Sequence, residues 1–199
     1  MNKIINKINI LALLLSAACS IAQTSMSVEE YGRYKMENNG KLPPTLREIN
    51  DVNNFFNPYL GSWIASYNNR DYQLNVYKER NYNEVFDLSE DRLRFSYTIK
   101  NSATGAVLAD SSNERLGEAI GIKYQPLSGH YELHMTTGCG ESKTILLGFT
   151  TSEILLNGSI YDQMVFAAFD SWYNRPATSG RCQSYSHLIP DVAIRFERM

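Results

Sequence analysis

Basic runs, long apolar stretches, internal repeats and low-complexity tracts are all missing from this chain, and each absence removes a class of function. Lys and Arg total 19 against 21 Asp and Glu, so the formal net charge is −2 and no electrostatic footprint for nucleic acid exists. No cluster of Lys or Arg marks a site for an anionic membrane surface. Cysteine is scarce, at three residues. No Gly-x-Ser-x-Gly elbow announces a serine hydrolase. "TGCGESKT" (137–144) resembles a phosphate loop only in composition: Ser142, not Gly, precedes Lys143, and a strand pattern follows it. What is present suits one globular domain. The 199 residues are 43% hydrophobic, and 13 tyrosines dominate an aromatic share of 12%, a composition that favours strands over helical bundles.

Residues 1–22 read as an export signal. Lys3 and Lys7 form the positive region, and "ILALLL" (10–15) is an apolar segment shorter than the roughly 20 residues a membrane-spanning helix needs. Cleavage after Ala22 fits the small residues of "SIA". The alternative is lipoprotein processing at Cys19, although Ser16 stands where a lipobox has an aliphatic residue. Either cut removes two lysines and no acid, taking the net charge from −2 to −4. Either also leaves Cys139 and Cys182, which in an exported protein are most simply a disulfide. Closing that loop of roughly 40 residues would contribute about 3–4 kcal/mol from loop-closure entropy. The expected location is therefore periplasmic, outer-membrane-attached or extracellular, in a Gram-negative bacterium.

Residues 23–44 have few apolar positions and end in "NNGKLPP", a pattern for a loosely ordered arm or short helix followed by a linker. The domain proper is expected over 45–199. Thr45 and Glu48 fit a capping box, and Leu46, Ile49, Val52 and Phe56 recur at helical spacing, predicting a helix over 46–55 that Pro58 stops. The period then switches to two. Residues 71–78, 92–100, 130–136 and 163–170 alternate, with further strands at "TILLGFT", "EILLNGS" and 191–198. About nine short strands separated by turn-forming residues predict an all-β fold, a sandwich or barrel. The long segment 171–190 is the exception to this spacing, and loops of that length are often functional.

"FNPYLGSWIASY" (56–67) stands at the head of the strand series. Its Gly-x-Trp, Gly61 and Trp63, resembles the signature of lipocalins and related calycin barrels, which follows a short helix in the first strand. The resemblance implies an antiparallel barrel with a helix before its first strand, and an Arg near the end of the last strand packed over the Trp. Arg198 and Arg195 are the matching positions, and Arg198 shares the parity of Val192, Ile194 and Phe196. The stretch over about 45–110 and the export signal also resemble an uncharacterised family of secreted Bacteroidota proteins. The second lipocalin signature, a Thr-Asp-Tyr type turn, is not identifiable, so ligand binding is not inherited.

A lipocalin-like barrel makes the first functional expectation a secreted or envelope-attached module that binds an apolar or amphipathic small molecule. Inward candidates by parity are Tyr72, Leu74, Phe95, Tyr97 and Leu133. Trp172, Tyr173 and Arg175 of "SWYNRP" can stack on a ligand at the barrel mouth, or fold over that mouth as a cover. The alternative is an interaction or inhibitor module whose barrel is filled, by "ILL" twice with Phe166 and Phe169, and whose loops do the work. A hydrolase is a third reading. His130, Glu132 and His134 share one strand face and offer a weak metal candidate that His187 would have to complete. Their neighbours Tyr131, Leu133 and Met135 mark that face as the solvated one. No cofactor is implied.

Overall fold

The computed structural model describes residues 25–111, 116–126, 129–137, 142–150, 163–170, 189 and 192–199. The leader with Cys19, "EILLNGS", Cys139, Cys182, Trp172, Tyr173, Arg175 and His187 lie outside the described residues. Strands dominate, in the order β1 (Ser25–Ser27), β2 (Glu48–Asn50), β3 (Gly61–Tyr67), β4 (Arg70–Asn83), β5 (Leu88–Asn101), β6 (Val107–Asp110), β7 (Leu116–Gln125), β8 (His130–Thr137), β9 (Ser142–Thr150), β10 (Gln163–Asp170) and β11 (Ile194–Arg198). The expected all-β class holds.

The chain from β3 onward runs as a meander. β3 and β4 meet at Asn68 and Asn69, both with positive φ, the backbone that a tight two-residue hairpin of the right twist requires. The path continues to β5, and on the far side through β11, β10, β9 and β8 to β7. β5 also pairs with β7, Arg94 opposite Ile120 and Phe95 opposite Ala119. That pairing brings the two ends of the curled sheet together, giving a barrel-like arrangement in which neighbouring strands run antiparallel. Alternation places Leu93, Phe95, Tyr97 and Ile99 inside, with Leu133, Ile145, Leu147, Met164 and Phe196 facing them.

Three expectations are corrected. The sheet is mixed, not purely antiparallel, because β1 runs parallel to β2 and β2 parallel to the start of β5. No helix occupies 46–55: Glu48–Asn50 is strand β2, and a single 3-10 turn, Asn57–Tyr59, precedes β3. Val52 is exposed while Leu46, Ile49 and Phe56 are buried, so the helical spacing is not a burial pattern. Asn50, Asp51, Asn53 and Asn54 also favour turns over helix interiors, and Asn54 sits at positive φ. Eleven strands, against the expected nine or so, occur among the described residues.

The helix is α1, Val28–Glu37, inside the stretch expected as a loosely ordered arm or short helix. Ser27 caps it: its Oγ accepts from the Glu30 N–H at 3.1 Å, and the Glu30 carboxylate accepts from the Ser27 N–H at 2.9 Å. α1 packs against β7 at Gly32, where an added Cβ would stand 2.9 Å from the Tyr124 carbonyl oxygen. Val28 and Tyr31 are buried beside it. Phe56 meets Tyr131 edge-on at 5.1 Å and Phe55 meets Tyr124 at 4.5 Å, so the N-terminal segment plugs the barrel end where β3 begins.

Candidate functional site

The closed end is organised around Trp63. The 3-10 turn presents the Tyr59 carbonyl, which accepts from the Trp63 indole N–H at 2.8 Å. Gly61 carries φ +117, a conformation that side chains rarely adopt, so the strand can begin directly beyond that turn. Register puts Arg198 opposite Trp63. Its guanidinium lies 4.7 Å from the indole ring centroid, and Nη2 donates to the Pro58 carbonyl at 2.7 Å. Arg195 instead lines the outer face of the sheet.

The five inward candidates lie where parity puts them, and all are buried: Tyr72, Leu74, Phe95, Tyr97 and Leu133. Four of them, Tyr72, Leu74, Phe95 and Tyr97, surround an interior that other rings fill. Phe166 stacks on Phe95 at 5.9 Å and on Phe196 at 5.7 Å, and Tyr72 meets Phe196 at 6.5 Å. The void left among Tyr72, Leu74, Phe95, Tyr97, Phe166 and Phe196 is about 10 Å³. A single water needs on the order of 10–15 Å³ by that measure, and small-molecule sites run to several hundred. Burial pushes the Tyr97 phenol well above its ordinary range, with the Asp110 charge adding to the effect. Among the described residues its hydroxyl has no hydrogen-bond partner.

A larger hollow lies outside, across β11, β3, β4 and β5, with a volume of about 640 Å³. Sequence reasoning missed it, because most of its lining is the polar half of the same alternation: Asp71, Gln73, Thr98, Lys100, Arg195 and Glu197, beside Ile64, Ala65 and Tyr72. Asp71 is its most defined group. It accepts from Ser102 Oγ at 2.7 Å and Ser66 Oγ at 2.8 Å, and these bonds, helped by Lys100, hold its carboxyl below the usual carboxylate range. A carboxylate held down in this way is a poor general base near neutral pH. The hollow is built for polar contact more than for proton transfer.

No family model, no curated protein and no solved structure matches the chain.

His130, Glu132 and His134 fall on the half-exposed face of β8 that the alternation implied. The His130 ring packs over Gly148 on the neighbouring strand. Among the described residues no group of three His, Cys, Asp or Glu side chains converges to hold a metal ion. Nor is any helix among them long and apolar enough to cross a membrane.

Proposed function

We propose that the protein is an exported binding module on a filled, lipocalin-like barrel, which engages a macromolecular partner through its exterior instead of holding an apolar molecule inside. The observation that carries this reading is the interior void of about 10 Å³ among the residues expected to line a ligand cavity. The lipocalin-like part rests on the antiparallel meander, its β5–β7 pairing, and the Trp63–Arg198 pair joining first strand to last. The segment that holds Trp63 also carries the proposed kinship with secreted Bacteroidota proteins.

Export, by way of the leader over 1–22, belongs to the same proposal, with or without lipid at Cys19. So does a bridge between Cys139 and Cys182. The connection from β8 to β9 and that from β10 to β11 begin and end on one side of the barrel, the side away from Trp63. The segment with Trp172, Tyr173 and Arg175 belongs to the same connection as Cys182, and the proposal assigns partner binding to it.

Native mass spectrometry of the mature protein from its own envelope, followed by denaturing extraction, tests the reading. A bare chain mass, reduced by two hydrogens for the bridge, supports it. Release of an apolar molecule of a few hundred daltons overturns it and restores the ligand-carrier reading.

A further inference from the structure

The hairpin of β4 and β5 runs on past the start of β3. β3 begins at Gly61, opposite Val76, yet the β4–β5 ladder continues from Tyr77 opposite Arg94 to Asn83 opposite Leu88. At the rise of an antiparallel strand this is a projection of about 20 Å past the start of β3. Its tip, "NEVFD" (83–87), carries two adjacent apolar residues where turns favour small and polar ones. Val85 is 85% exposed and Phe86 57%, with Tyr82 beside them also at 57%.

This tip is built to hold those side chains out. Asn83 Oδ1 accepts from the N–H groups of both Val85, at 3.1 Å, and Phe86, at 3.3 Å. Asp87 occupies a left-handed conformation, φ +47, and uses both carboxylate oxygens: Oδ1 accepts from the Tyr82 hydroxyl at 2.9 Å, and Oδ2 pairs with Arg47 Nε at 3.2 Å. Below the tip, Arg80 pairs with Asp91 across the hairpin at 3.1 Å and donates to the Ile49 carbonyl at 3.3 Å, and Lys78 pairs with Asp51 at 3.4 Å, fixing the hairpin to the residues around β2. The fold thus stabilises the turn while leaving Val85 and Phe86 in water.

The direction of β1 shows which way this end faces. Ser25 pairs with Glu48, and Glu48 with Ser89, all in parallel register. The chain therefore enters β1 travelling away from the hairpin tip, so Ser25 is reached from the tip's side. Residues 19 to 25 span at most about 20 Å when extended. The chain ahead of Ser25 thus meets the fold at the end to which Val85 and Phe86 project.

We propose that the β4–β5 hairpin tip is a finger that seats in the interfacial region of a lipid bilayer, with Phe86 and Val85 among the upper acyl chains and Tyr82 at headgroup level. A convex tip of three side chains offers far less than the roughly 1,000 Å² that a specific protein interface buries, yet it matches a fluid surface that closes around it. Tyr at headgroup level with Val85 and Phe86 beyond it is the arrangement interfaces favour, and Glu84, exposed in the same turn, keeps its carboxylate among the headgroups. The acid of Asp87 is neutralised by Arg47, and no basic cluster surrounds the tip among the described residues, so contact rests on apolar burial and not on anionic lipid. Seated this way, the barrel stands with its opposite mouth away from the membrane. The inference holds whether or not the barrel is filled.

The test places Trp at position 86 in the full chain, produced with its own leader, and uses vesicles of phosphatidylcholine brominated on the upper acyl chain. Phe86→Trp emission, measured against the unsubstituted protein as background, should shift to the blue and lose intensity on these vesicles. Val107→Trp, at an exposed position on the opposite end of β5's sheet, should show neither change. Quenching at 86 reports insertion whether the protein is lipidated or not. Unchanged Phe86→Trp emission on vesicles overturns the proposal, as does equal quenching at 86 and 107. A blue shift that appears without vesicles, together with sedimentation as a dimer, also overturns it and assigns the tip to a second copy of the chain.

Discussion

Arg198 and Trp63, at the two ends of the meander, are opposite each other in register, with the guanidinium 4.7 Å from the indole ring centroid. The same guanidinium donates to the Pro58 carbonyl, so one side chain joins the last strand, the first strand and the turn before it. A charge-assisted bond to a carbonyl and a cation–π contact at a solvent-exposed edge together contribute about 1–2 kcal/mol. Arg198→Ala should lower the urea unfolding free energy by that amount. Arg198→Lys should recover less than half, because an ammonium lacks the planar face and fixed fork of a guanidinium. Equal stability of the Lys variant and the wild type would remove the stacking role.

The seam between α1 and β7 gives a prediction of opposite sign to helix propensity. Gly→Ala inside a helix is worth about 1 kcal/mol in favour of Ala. At Gly32, however, the new methyl would stand 2.9 Å from a backbone oxygen, Tyr124 O, and 3.3 Å from the Tyr124 ring. Overpacking of that kind costs about 1–3 kcal/mol. Gly32→Ala should therefore destabilise, seen as a lower melting temperature by circular dichroism. A stabilised variant would mean that α1 does not pack tightly on β7.

Much of this architecture is legible in the residues alone. The alternation of Leu93, Phe95, Tyr97 and Ile99 reports an inward face because period two survives in a strand with one side in the core. Phe56 to Tyr67 is legible because its Asn, Pro, Gly and Trp each answer a separate local demand. β7 escapes such a reading for a physical reason: its pairing with β8 shifts register between Leu116 and Ala119 and again between Gly121 and Lys123, so alternation breaks twice. The helix is misplaced because Thr45 and Glu48 show the same capping signature as Ser27 and Glu30, and only the latter pair lies ahead of residues that favour helix. The polar hollow is illegible in kind, since a solvated strand face and a binding face share one pattern.

Four buried tyrosines predict how the fold fails in base. Burial raises the phenols of Tyr31 and Tyr59 to about 12, with Glu90 adding to the first and Tyr124 to the second; burial also raises Tyr97 and Tyr131. A raised folded value means that the native state keeps its proton after the unfolded chain, whose phenols titrate near 10, has lost it. The stability is fully present below pH 10 and declines as pH rises through 10 towards 12. The share of tyrosinate absorbance that comes from these buried phenols should therefore rise in one cooperative step coincident with loss of near-ultraviolet dichroism. Tyr97→Phe deletes a hydroxyl with no partner among the described residues, so it should change stability at pH 7 by less than about 1 kcal/mol and move the alkaline midpoint upward.

Packing of the barrel interior can be reversed on purpose. Phe166 sits between Phe95 and Phe196 with its ring almost wholly buried, and it closes the space that a ligand would occupy. Phe166→Ala should cost about 3–5 kcal/mol, and Phe166→Leu less, as the removed ring leaves a void that its neighbours only partly fill. A void lined by apolar side chains stays dry and accepts an apolar guest of matching size. The wild-type protein should therefore take up no benzene or xenon, while the variant should bind one and regain part of its lost stability in proportion to guest concentration. Calorimetric titration and guest-dependent melting temperatures read this directly. Equal uptake by both proteins would mean that the interior is already open, and the filled-barrel reading would fall with it.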